Sequence, residues 1–229
     1  MTPAGTWAIV PVKRFDRAKT RLAPVLSWAE RKALAEAMLG DVLEALARSG
    51  AFVGTLVVTS DAEAAAVGRR FATAVIDDPQ DAGTNAAVVR GVRCLSRWGA
   101  GSVVAVPADL PFVTAAELRS VPDVLREVPV AIVPAIRDGG TNVLAMSPPD
   151  VIAPAFGCGS FDRHVAAAIA AGIDPALMRL EGGGRDIDVP ADLDFAAGGG
   201  GGHRTRACIE RCKFATSAEP AQTFEGISL

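Results

Sequence analysis

The residues with the strongest chemical character lie in one short stretch. Val10-Pro11-Val12-Lys13-Arg14-Phe15-Asp16-Arg17-Ala18-Lys19-Thr20-Arg21-Leu22 carries five cations within nine residues, from Lys13 to Arg21. It follows the apolar run Trp7-Ala8-Ile9-Val10, which reads as a buried first strand. Several fixed positive groups behind a strand suit a polyphosphate, because ammonium groups act as point charges and guanidinium groups fork two oxygens. A solvated basic loop would show the same residues. Spaced glycines ending in Gly-Lys-Ser/Thr are absent, and no G-x-G-x-x-G follows the strand, so Walker-type and dinucleotide-type cradles lose weight.

Acidic residues supply the second kind of chemistry. Asp109, in Pro107-Ala108-Asp109-Leu110-Pro111, follows the apolar run Ser102–Val106, and open α/β sheets bind ligands at the carboxyl ends of their strands. A carboxylate there can hold Mg²⁺, a hard cation that keeps several of its waters; a plain turn aspartate between prolines is the alternative. In Arg185-Asp186-Ile187-Asp188-Val189-Pro190 the two aspartates share a face if the segment is extended. Asp188 is then either a metal ligand or the N-cap before Pro190, with Asp186 in reserve.

Two turns could bind anions or a base. Gly157-Cys158-Gly159-Ser160-Phe161 is a glycine-bearing turn feeding a helix that Ser160 would cap, and free N–H groups at such a start attract phosphate or carboxylate. In Asp81-Ala82-Gly83-Thr84-Asn85 the Asn85 amide can offer paired donors and acceptors to a base edge, or simply cap a helix. Arg163 and His164 fall in the first turn of the Ser160 helix and could add charge, but neither His164 nor His203 has a catalytic partner visible by spacing, and no nucleophile elbow occurs. Attack by a phosphomonoester needs no such base, since a group with second pKa of about 6 is mostly dianionic at neutral pH.

These residues must be positioned by alternating elements. Ser27 and Glu30 form a capping box that opens a helix from Ser27 to Ser49, closed by Gly50. Strands follow at Thr55–Thr59, Ala74–Asp77 and Ser102–Val106. Asp61 caps one intervening helix, and Thr84 or Asn85 caps another that runs to Trp98. Such alternation predicts a parallel, doubly wound sheet. The apolar runs Val130–Ala135 and Asn142–Met146 are close enough for a hairpin, so the sheet should be mixed. A helix over Ser160–Ala171, a strand near Ala176–Leu180 and a short helix from Pro190 complete a catalytic domain over 1–197. The glycine run Gly198–Gly202 reads as a flexible linker, and the remainder to Leu229 as a disordered tail.

Composition sets outer limits. The chain has 229 residues, half of them apolar, which is enough to bury a core, and a formal net charge of -3, which lacks the basic excess of a nucleic-acid binder. No secretory signal and no membrane-length apolar run is present, so a cytoplasmic protein without membrane partners is expected. Cys94, Cys158, Cys208 and Cys212 do not form a metal-spaced set and read as reduced thiols.

Pro11-Val12-Lys13 with Ala18-Lys19-Thr20-Arg21-Leu22, Asp138-Gly139-Gly140-Thr141-Asn142 and Phe156-Gly157-Cys158-Gly159-Ser160-Phe161 occur in this order. Over roughly Ala8 to Phe195 the sequence resembles the guanylyltransferases of coenzyme F-420 biosynthesis, relatives of the molybdenum-cofactor-type nucleotidyltransferases. The resemblance implies a three-layer, Rossmann-like (glycosyltransferase-A-like) α/β fold with a mostly parallel, mixed central sheet. It also implies transfer of GMP from GTP to 2-phospho-L-lactate, phosphoenolpyruvate or 3-phospho-D-glycerate, with release of pyrophosphate. By the same match Lys13, Lys19 and Arg21 hold the triphosphate and act in catalysis, and Gly83 and Asn85 contact the nucleotide. Thr141, Gly157 and Ser160 bind the phospho-acid, and Asp109 and Asp188 hold Mg²⁺. Monomer and homodimer both stay open. The alternatives are a molybdopterin- or sugar-phosphate-type nucleotidyltransferase, whose glycine-rich opening loop is replaced here by Pro11-Val12-Lys13, and a non-catalytic nucleotide-binding module.

Overall fold

A computed structural model describes residues 5–71, 74–197 and 201–217. Among the described residues seven strands form one sheet in the order β3-β2-β1-β4-β6-β5-β7. They are β1 (Thr6–Val12), β2 (Gly54–Thr59), β3 (Ala74–Asp77), β4 (Ser102–Ala105), β5 (Val130–Pro134), β6 (Thr141–Met146) and β7 (Ala176–Leu177). The first four run parallel, β6 is inserted antiparallel between β4 and β5, and β7 returns parallel to β5. The expected mixed, mostly parallel sheet is the one observed.

Apolar runs without alternation belong to strands covered on both faces. Ala8, Val10, Val57, Val104 and Val133 face a core built with α1 (Trp28–Ser49), α2 (Ala62–Arg70), α4 (Ala115–Val124), α6 (Pro190–Ala197) and α7 (His203–Ser217). Ile9, Leu56, Val103, Ile132 and Leu144 face a second core built with α3 (Thr84–Arg97) and α5 (Ser160–Ala170). The α1 capping box forms with both of its hydrogen bonds, and Gly50 ends the helix in the left-handed region at φ 64°. Among the described residues no helix is long and apolar enough to cross a membrane.

Three local expectations need correction. Helix α3 is capped by Gly83 at φ 93°, without a side-chain bond, so neither Thr84 nor Asn85 is its cap. The N-cap of α5 is likewise Gly159, at φ 63°; Ser160 is the first helical residue, and its Oγ accepts from the N–H of Thr141 at 2.7 Å instead of from its own helix. Helix α4 was not anticipated, although Thr114 and Glu117 form a complete capping box, because Pro122 inside it breaks the pattern by which a helix is read.

The largest difference is α7, which occupies part of the segment expected to be disordered. Its cap comes from another helix: the two carboxylate oxygens of Asp41 on α1 accept from the N–H groups of Arg204 at 3.1 Å and Thr205 at 2.8 Å. The Arg204 guanidinium pairs with Asp41 and Glu44, and Cys208 and Ile209 are buried in the core beneath. No local sequence pattern could show a cap supplied from so far along the chain. Gly202 lies so close to Asp41 that a Cβ there would overlap the carboxylate. The rest of the expected linker and tail, 198–200 and 218–229, lies outside the described residues.

The Asp41 cap gives a test of this docking. Asp41→Ala leaves two helix N–H groups unanswered and removes one of the two carboxylate partners of Arg204, and should lower unfolding stability by about 2 kcal/mol. A urea titration showing an unchanged midpoint would contradict it.

Candidate active site

Strands β1 and β4 are parallel neighbours, so the loops leaving their carboxyl ends meet. The basic loop leaves β1 through two 3-10 turns, Phe15–Arg17 and Thr20–Leu22, with Lys19 between them in the left-handed region at φ 53°. The Asp109 loop leaves β4. A third segment joins them because the Ile187 N–H donates to the Asp109 carbonyl at 3.2 Å, which brings Asp186 and Asp188 to the same edge.

Lys19 lies at the centre of this junction. Its ammonium is 2.7 Å from Asp109 Oδ2 and 3.8 Å from Asp188 Oδ1, with only 8% of the side chain exposed. Arg21 places Nη1 2.7 Å from Asp188 Oδ2. Four residues predicted from three separate motifs are therefore in contact. The cations at Arg14 and Arg17 are engaged nearby, with Asp16 at 2.7 Å and Asp81 at 3.4 Å. Lys13 is exposed, and its charge acts on Asp109.

The carboxylates differ in character. Burial pushes the Asp109 carboxyl up, but the charge and hydrogen bond of Lys19, a backbone hydrogen bond and the charge of Lys13 outweigh it and hold the group below its usual range. Burial and the charge of Asp109 together push Asp186 up to about 6, against partial opposition from Lys19 and Arg137. Asp109 and Asp188 thus converge on a point that already holds one cation, and their hard oxygen donors fit Mg²⁺. Among the described residues the one group of three potential ligands close enough for a metal is Asp41, Glu44 and His203, where the Asp41 oxygens are already used by the α7 backbone.

A second cluster surrounds the start of α5. His164 is fully buried, and its Nε2 accepts from the Ala155 N–H at 2.8 Å. The ring proton therefore resides on Nδ1, which donates to Thr141 Oγ1 at 2.9 Å. With Thr141 N–H donating to Ser160 Oγ, each hydroxyl accepts one bond and keeps its own proton for another partner. Gly157, exposed at φ 116°, begins the turn, which Arg163 pins by donating to Ala155 O at 2.8 Å and Cys158 O at 2.5 Å. Asn142, beside Thr141, is buried with its amide nitrogen unpartnered.

Gly83 and Asn85 lie at the start of α3, with Asn85 against this turn, while Asp81, two residues before Gly83, pairs with Arg17 of the cation loop. The Asn85 amide donates to Phe156 O at 3.0 Å and accepts from Phe156 N–H at 2.6 Å, so its paired donor and acceptor are spent on backbone. Sequence reading missed the support roles of His164 and Arg163 and gave none to Arg137 or Asp192. The partner of His164 lies on a different element, and Arg137 sits in a hairpin tip that reads only as a polar turn.

Over residues 6–225 the sequence matches the family described as "Guanylyl transferase CofC like". It is 39% identical over 213 residues to a phosphoenolpyruvate guanylyltransferase of Conexibacter woesei, covering 90% of this chain and 96% of that protein. A 3-phospho-D-glycerate guanylyltransferase of Phenylobacterium zucineum is 37% identical over 213 residues, again covering 90% and 96%. In fold, the chain is similar to a nucleotidyl transferase from Methanothermobacter, with a TM-score of 0.58, 18% identity, and coverage of 90% of this chain and 98% of the other. The family match across nearly the whole chain, with relatives at this level of identity, shows that the chain belongs to the guanylyl transferase CofC-like family.

Proposed function

We propose that this protein transfers GMP from GTP to the phosphate of a small phosphorylated carboxylic acid. The observation that carries this reading is the contact of Lys19 and Arg21 with Asp109 and Asp188 at the carboxyl edge of the sheet. The names of the relatives point to phosphoenolpyruvate or 3-phospho-D-glycerate as acceptor, and the family resemblance adds 2-phospho-L-lactate. The activated acid would then serve coenzyme F-420 biosynthesis, as that resemblance implies.

In this reading an oxygen of the acceptor phosphate attacks the α-phosphorus of GTP. The bond from that phosphorus to the bridging oxygen breaks in line, and pyrophosphate leaves with the electron pair. The attacking phosphate carries no proton to remove, so the chain needs positioning and charge rather than a general base. Lys13, Lys19 and Arg21 hold the triphosphate and stabilise charge on departing pyrophosphate. Asp109 and Asp188 would hold Mg²⁺, which when bound supplies further neutralisation of phosphate charge. Thr141 and Ser160 direct hydroxyl protons, and Gly157 its backbone, towards the acceptor. Gly83 and Asn85 contact the nucleotide in this reading, and Asn85 also ties that side to the acceptor turn through Phe156.

The direct test is pyrophosphate release with GTP, Mg²⁺ and each of the three acids. Release should depend on one of the acids, favour GTP over ATP and CTP, and drop by at least a hundredfold in Asp109→Asn and Asp188→Asn while the circular dichroism spectrum is kept. Acid-independent release, or both variants near wild-type rate at saturating Mg²⁺, would refute the reading.

Thr141→Val keeps the shape of the side chain and removes the hydroxyl. It should raise KM for the acid about tenfold, the value of one hydrogen bond to a charged group, with KM for GTP within twofold. An increase confined to GTP would place Thr141 on the wrong substrate.

The acceptor cluster also makes the fold sensitive to acid. Burial, and then the charge of Arg163, push His164 down to about 4. Because the unfolded chain takes up that proton first, the contribution is intact above pH 6.5 and is lost as pH falls towards 4, by up to about 3 kcal/mol. His164→Gln should lack this component, so the stability gap between wild type and variant in urea should narrow from pH 7 to pH 4.5. A gap that stays constant would show that His164 does not titrate in this way.

A further inference from the structure

Two parts of the candidate site come from distant segments with no shared element. The acceptor cluster is carried by the β5–β6 hairpin and α5; the aspartate arm, 184–192, precedes and enters α6. One side chain spans the gap. Arg137, at the hairpin tip, places Nη1 2.7 Å from both carboxylate oxygens of Asp192, and Nη2 3.7 Å from Asp186 Oδ2. The partners bracket Asp188 along the chain.

Asp192 passes this restraint on. Its Oδ2 accepts from the N–H groups of Asp188 at 2.7 Å and Val189 at 2.8 Å, fixing the backbone from which the Asp188 carboxylate projects. On the other side, the tip is closed by Ala135 N–H to Gly140 O at 2.9 Å, and Phe161 N–H of α5 donates to Gly139 O at 3.2 Å. Thr141 follows Gly140 and Ser160 precedes Phe161, so both adjoin this clamp. A further backbone bond, Ile136 N–H to Gly184 O at 2.9 Å, runs beside Arg137 and makes the tip and the arm a two-point contact.

We infer that Arg137 is a positioning residue that holds the acceptor cluster and the aspartate arm in one register through Asp192 and Asp186. This rests on the proposed GMP transfer, in which acceptor phosphate and α-phosphorus must meet in line. A guanidinium can span two carboxylates, whereas an ammonium is a single point charge. Misplacement of about 1 Å in such a geometry costs about a hundredfold in rate. Neither substrate needs to touch Arg137 for this to hold.

Two readouts test it. Hydrogen exchange in the free protein should rise at least threefold in Arg137→Gln within both 135–141 and 184–192, and this measurement does not depend on activity. With the acid identified by pyrophosphate release, Arg137→Gln should lower kcat at least tenfold and leave KM for GTP within twofold. Arg137→Lys should fall between wild type and Arg137→Gln, and carries the test if the glutamine variant does not fold. Adding Asp192→Asn to Arg137→Gln should lower kcat no further than either change alone. Unchanged exchange in both segments, a kcat within twofold of wild type, or fully additive losses would overturn the inference. If exchange rises as expected but no acid supports release by wild type, the failure belongs to the proposed reaction and the register role of Arg137 stands.

Discussion

Three carboxylates, Asp109, Asp186 and Asp188, are drawn to one edge of a sheet, and their repulsion has to be answered where water can answer it only in part. The protein uses cations that reach in from other segments: Lys19 and Arg21 from the first loop and Arg137 from a hairpin. For Lys19 the answer requires a backbone conformation that costs a non-glycine residue about 1 kcal/mol or more. A glycine would sit there without strain but could not bring an ammonium to Asp109 and Asp188. The position is therefore set by charge, against local backbone preference. Asp186, the carboxylate least well answered, is the one pushed up to about 6.

The antiparallel insertion of β6 serves the same edge. With β4 running towards the site, β6 must begin there and run away from it, so Thr141 and Asn142 enter the sheet at the carboxyl end of β4. A parallel strand in this place would have put those residues at the far edge. The hairpin that makes the insertion possible also delivers Arg137 to its tip, so the reversal of one strand supplies both the Thr141 hydroxyl and the tether to the aspartate arm.

Much of this was legible in the sequence where the signal is local. The Ser27–Glu30 box, the unbroken apolar strands and the short spacing between β5 and β6 state their own structure, because each depends on near neighbours. The family resemblance singled out Asp109, which spacing alone left open between ligand and turn, and Asp188, left open between ligand and N-cap; the structure brings both to Lys19. What stayed hidden depends on partners far along the chain. Ser160 was expected to cap its helix and instead accepts from Thr141, while Asp41 caps α7 from α1. Spacing shows no partner for His164, yet its partner is a threonine on β6 and its proton location follows only from a backbone bond at Ala155.

The paired bond between Asn85 and Phe156 has a mechanical consequence. A primary amide that both donates to and accepts from one residue's backbone behaves as one rung of a strand ladder, built from a side chain. Aspartate at position 85 would lack the donor and set its charge against the Phe156 carbonyl, and glutamine would hold the rung one methylene too far out. The start of α3 and the turn leading to Gly157 are thereby stitched into a single rigid piece, so any displacement of one is carried to the other without passing through the sheet.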